Sequence, residues 1–88
     1  MRLRPPMSEA EGGERYVSKL RELKLTNREA EVLIWVSRGK TNYEIAVVVE
    51  ASRDTIRTHV SSILRKLSVE NRTAAAAIAY EAIQTVCF

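Results

Sequence analysis

The chain has 88 residues, enough for one small domain with one hydrophobic core and no sensor or cofactor domain beside it. Apolar residues make up 45% and charged residues 28%, a globular rather than a disordered composition. Fourteen Lys and Arg against eleven Asp and Glu leave a net charge of +3, which permits nucleic acid as a partner without requiring it.

Met1 to Glu14 holds both prolines and two of the three glycines and almost no large apolar residue, so residues 1–14 read as a flexible arm and residues 15–88 as the domain. A helical period then begins: Tyr16, Val17, Leu20 and Leu23 fall on one side of a helix from about Glu14 to Leu23. That helix is expected to extend the domain core, the alternative being a remnant of a linker. Thr26-Asn27-Arg28-Glu29 fits a capping box, in which the threonine oxygen accepts a backbone N–H and the glutamate reaches back to the cap. The helix it opens turns Val32, Leu33 and Val36 inward, with Trp35 partly covered, and Gly39 ends it in the left-handed conformation.

Thr41-Asn42-Tyr43-Glu44 repeats the box and opens a short helix over Asn42 to Val49 that buries Ile45, Ala46 and Val49. Ser52 caps the next helix, about Arg53 to Leu67, with Asp54 placed to meet the positive end of the helix dipole. Ile56, Val60, Ile63, Leu64 and Leu67 make its apolar stripe, and Arg57, Thr58, Ser61 and Arg65 lie opposite. Only Glu50-Ala51-Ser52 separates these two helices, so they form a helix-turn-helix. Asn71 caps a last helix, about Arg72 to Thr85. The fold class is all-α, four helices and an extra N-terminal one.

Enzyme chemistry is nearly excluded by inventory. The chain has one histidine, His59, no Gly-rich phosphate loop and no nucleophile with a base; Gly12-Gly13 is a lone pair in the arm. Cys87 is the one cysteine, which rules out an internal disulfide or a multi-cysteine metal site and suits a reducing cytoplasm. The longest apolar run, Ala74 to Tyr80, is far short of the roughly 20 residues that span a bilayer. Arg2 and Arg4 are followed by Pro5, Pro6 and acids rather than an apolar stretch, so no export signal is read. A cytoplasmic location with no cofactor, metal or small-molecule ligand is expected.

Residues 25–80 resemble the DNA-binding domain of the LuxR/FixJ/NarL family of bacterial transcription regulators. The matching stretches are Leu-Thr-Asn-Arg-Glu-Ala-Glu-Val-Leu (25–33), Gly-Lys-Thr-Asn-Tyr-Glu-Ile-Ala (39–46) and Ser-Arg-Asp-Thr-Ile-Arg-Thr-His-Val (52–60), completed by Ile-Leu-Arg-Lys-Leu (63–67) and Asn-Arg-Thr (71–73). Departures are modest. Ala51 stands where the family usually has Ile or Val, Ser68 where Gly is common, and Ala76 where Val is frequent; the two alanines predict a lighter core. The resemblance implies four helices, the third of which enters the major groove.

The charge pattern agrees, because Arg38 to Arg72 holds seven basic and four acidic residues, which accounts for the whole excess. The resemblance places base-reading side chains at the positions of Arg57, Thr58 and Ser61, and an arginine there can bridge guanine O6 and N7. Lys40, Thr41 and Asn42 precede or open the second family helix, where free N–H groups and a cation can hold a phosphate, although capping alone explains Thr41. Thr55, Arg65, Lys66 and Arg72 are phosphate candidates on reach and charge. His59 is expected to pack at the edge of the groove face with one hydrogen bond, and Tyr43 and Trp35 to be core edges rather than stacking platforms.

Ala75, Ala76, Ala79 and Ile83 suffice for the core, which leaves Ala74, Ala77, Ile78 and Tyr80 outward. Ala74, Ala77, Ile78 and Glu81 are therefore the expected interface of a homodimer, as the resemblance also implies. The leading expectation is a sequence-specific regulator that binds double-stranded DNA on an inverted repeat, with RNA polymerase a further partner. Met1 and the arm that follows it favour a stand-alone form, the alternative being a domain cut from a longer regulator. Two alternatives differ: a module that heterodimerises with a full-length relative and blocks it, and region 4 of a sigma factor. The row of cations argues against the first, and the Gly-Lys-Thr-Asn and Asn-Arg-Thr stretches against the second.

Overall fold

A computed structural model describes residues 13–87; residues 1–12 of the arm expected over 1–14 lie outside the described residues, and Gly13 and Glu14 belong to the first helix rather than to the arm. Five helices follow in order: α1 (Gly13–Arg21), α2 (Asn27–Ser37), α3 (Asn42–Val49), α4 (Arg53–Leu67) and α5 (Arg72–Cys87). The all-α class is as expected.

The caps explain where the helices start. Thr26 and Thr41 each form a complete capping box, with Glu29 and Glu44 returning a carboxylate to the cap N–H at 2.9 Å. Ser52 accepts from the Thr55 N–H, and Asn71 Oδ1 from the Ala74 N–H. The ends follow a second rule. Gly39, Glu50 and Ser68 all adopt positive φ after α2, α3 and α4, and the following N–H closes on a carbonyl five residues back. Gly39 carries this conformation without a Cβ penalty; Glu50 and Ser68 do so with one.

α2 is the central element. Ala30, Val32, Leu33, Ile34, Trp35 and Val36 are all buried, because α1, α4 and α5 pack around it. Trp35 is accordingly enclosed rather than partly covered, and its indole N–H is buried with no partner. Tyr43 differs in the other direction. It is 60% exposed, since Ile45 and Ala46 take the inward face of α3, so it is no core edge. α1 does join the core through fully buried Leu20 and packs on α2 and α5. It ends at Arg21 rather than Leu23: the backbone tightens through Glu22 to Lys24, with Lys24 at φ 69, and delivers Leu25 into the core.

A carboxylate ties α2 to α4. Glu29 lies at the buried start of α2 and accepts from the Thr26 N–H, from Ser62 Oγ at 2.6 Å and from Lys66 Nζ at 2.8 Å. Burial alone would raise its pKa. The hydrogen bonds from Lys66, Ser62 and Thr26, with the Lys66 charge, outweigh that and hold it at about 2.

Candidate nucleic-acid interface

The Glu50-Ala51-Ser52 turn sets α4 against α3, and Ile56 and Ile63 are buried on the inner side of α4. The outer side follows from helical spacing. Asp54, Arg57, Thr58, Ser61 and Arg65 recur at i, i+3, i+4, i+7 and i+11, and all are exposed. At 1.5 Å per residue this row runs about 16 Å along the helix. An α-helix presented this way fits a major groove about 12 Å wide.

Within the row, Arg57 Nη2 lies 2.8 Å from Asp54 Oδ1, an exposed pair one turn apart. Thr58 Oγ1 donates to the Asp54 carbonyl at 3.1 Å, and Arg65 Nη2 reaches Ser62 Oγ at 3.4 Å. Ser61 is exposed beside them. The base-reading candidates therefore share one open face. His59 is half-buried at its margin.

The phosphate candidates divide into two sets. Thr55 sits in the α4 cap, its hydroxyl 2.9 Å from Ser52 Oγ, and Thr41 caps α3. Lys40 is half-buried beside Thr41, and Arg65 is exposed on the outer row. Lys66 and Arg72, by contrast, are bonded across the fold to acceptors outside their own helices. Lys66 is turned toward α2 and held by Glu29. Arg72 Nη1 donates to Asn42 Oδ1 at 2.6 Å and Nη2 to the Lys40 carbonyl at 2.8 Å, which fixes the start of α3 against the start of α5. Burial lowers the Arg72 pKa from its ordinary value. An open hollow of about 390 Å³ lies here, lined by Val36, Gly39, Lys40, Thr41, Arg72 and Thr73 among others.

On α5, Ala75 and Ala79 are buried and Ile83 nearly so. Ala77, Tyr80 and Glu81 are exposed, whereas Ala74 and Ile78 are half-buried. α1 packs on α5, so less of α5 is open than its own sequence predicts.

Sequence reasoning missed Glu29 and Ser62 as a bridge between α2 and α4, because both partners lie more than thirty residues from Glu29's cap. It also missed Arg53, whose guanidinium lies 5.9 Å from the centroid of the Tyr43 ring. The signal available was a cation at the first position of α4, where the helix dipole disfavours positive charge.

Fold and exposed row together define a small helix-turn-helix domain. Residues 23–79 match the family described as "Bacterial regulatory proteins, luxR family", and the chain belongs to that family. It is 49% identical over 55 residues to the uncharacterized transcriptional regulatory protein YhcZ of Bacillus subtilis, covering 62% of this chain and 26% of that one. It is 44% identical over 57 residues to the response regulator protein VraR of Staphylococcus aureus, covering 65% and 27%. It is 40% identical over 52 residues to the putative HTH-type transcriptional regulator y4qH of Sinorhizobium fredii, covering 59% and 16%. The chain thus spans about a quarter or less of these relatives' length. No helix among the described residues is long and apolar enough to cross a membrane.

Proposed function

We propose that this chain binds double-stranded DNA sequence-specifically as a transcription regulator, with α4 in the major groove. The observation that carries the reading is the exposed row on α4, which stands clear of the core on a helix fixed by the Glu29 bridge. Arg57 reads a guanine edge with two N–H donors, and Thr58 and Ser61 contact neighbouring bases. Lys40, the α3 N-terminus at Thr41 and Asn42, Thr55 and Arg65 approach phosphates on either side. Lys66 and Arg72 act mainly by holding α4 and α3 in place, with any phosphate contact secondary.

Two copies pair through α5 at Ala77 and Glu81, with Ala74 and Ile78 at the edge. Their α4 helices meet successive major grooves about 34 Å apart on an inverted repeat. A cytoplasmic location accompanies this activity.

Fluorescence anisotropy with labelled random duplex across a salt series tests the reading. Binding at low salt that weakens linearly in log–log form supports it. No binding at 50 mM salt overturns it and favours the inhibitor that acts by heterodimerising with a longer relative.

A further inference from the structure

Two residues on the helix-turn-helix break local rules, and they touch each other. Arg53 occupies the first position of α4, where a cation opposes the helix dipole. Tyr43, in the first turn of α3, leaves 60% of its surface in water although it is a large aromatic. The Arg53 guanidinium carbon lies 5.9 Å from the Tyr43 ring centroid, the cation–π pair that joins the two helices of the motif. Arg57 follows Arg53 by four residues, so both arginines project from the same side of the first turns of α4. Local violations of this kind are expected where function, rather than folding, sets the residue.

We propose that Arg53 is a further DNA contact of this chain, a phosphate-binding arginine beside the base read by Arg57, and that the Tyr43 ring is its positioning residue. The assignment rests on the α4-in-groove reading above. A phosphate at the α4 N-terminus would meet the guanidinium and the free N–H groups together, which reverses the unfavourable placement of the cation in the unbound protein. The ring holds a long side chain over the groove before binding, so less rotamer freedom is lost when the complex forms.

The test measures affinity for one duplex selected by the wild-type chain, from 50 to 200 mM salt, for wild type, Arg53→Ala, Tyr43→Leu, Tyr43→Phe and Arg57→Ala. Circular dichroism on each variant confirms folding. Losing one phosphate contact makes the salt slope shallower by about 0.9, so the ratio of wild-type to Arg53→Ala affinity falls about 3.5-fold over that range. Base preference in a selected-duplex screen stays unchanged for Arg53→Ala. Tyr43→Leu weakens binding about two- to fivefold, and Tyr43→Phe, which keeps the ring face, stays within about twofold of wild type.

An unchanged salt slope in Arg53→Ala, with Arg57→Ala still relaxing base preference, overturns this assignment and leaves the groove reading intact. A changed base preference in Arg53→Ala also overturns it, in favour of base reading. Equal losses in Tyr43→Phe and Tyr43→Leu overturn the role of the ring. If the wild type fails to bind any duplex, the groove reading itself is wrong.

Discussion

Replacing Glu29 by Gln tests whether the bridge between α2 and α4 is what holds the candidate interface in place. The carboxylate is buried and accepts from Thr26, Ser62 and Lys66. Glutamine can still serve the Thr26 N–H, as it does in other capping boxes, so the substitution chiefly removes the charge. A carboxyl held at about 2 rather than 4.5 contributes about 3 kcal/mol at neutral pH, at about 1.4 kcal/mol per pH unit. Lys66 remains 31% exposed and regains some water when its partner is lost, which brings the expected cost to about 2–3 kcal/mol.

The sign follows from the lowered pKa. This stabilisation is fully present above pH 4.5 and is lost as pH falls toward 2. Urea unfolding followed by Trp35, the single buried tryptophan, gives the stability of wild type and Glu29→Gln at pH 7, 4 and 2.5. The gap between the two proteins should be widest at pH 7 and shrink steadily with acid. A gap below about 0.5 kcal/mol at pH 7, or one that does not depend on pH, would show that the bridge is worth no more than a surface ion pair.

Ser68 sits at φ 58 after α4, so Ser68→Gly should stabilise the domain by about 1 kcal/mol, read as a rise in the urea midpoint with an unchanged m-value. Ala77→Glu places a carboxylate on the exposed side of α5, one turn from Glu81 and away from the core. Sedimentation should show the proposed dimer of the wild type replaced by monomer, with thermal unfolding of the dilute protein changed by less than about 0.5 kcal/mol. Ile78→Glu should weaken the dimer too but also lower monomer stability, because Ile78 is half-buried within one chain.

Local chemistry was legible in the sequence. Thr26, Thr41, Ser52 and Asn71 cap the helices expected of them, and Gly39 ends α2, because a cap is decided by residues three or four apart. The apolar stripe of α4 was legible for the same reason, and it left Arg57, Thr58 and Ser61 on the open side. What a single stripe does not carry is how many neighbours a helix will have. Trp35 and Ile34 are buried because three helices surround α2, and Ile78 is half-covered in a domain where α1 also packs on α5. Charge pairing across the fold was equally hidden. Lys66 and Arg72 read as free cations in sequence, yet their acceptors, Glu29 and Asn42, lie 37 and 30 residues away.

The claim that α4 reads bases through Arg57 is tested most directly by a selected-duplex screen on wild type and Arg57→Ala. The wild type should enrich an inverted repeat with half-sites about one helical turn apart. Arg57→Ala should bind that site about 1–3 kcal/mol more weakly and lose preference at one base pair in each half-site, with the other positions kept. An Arg57→Ala protein that enriches the same sequences as the wild type would contradict the placement of α4 in the groove by this face.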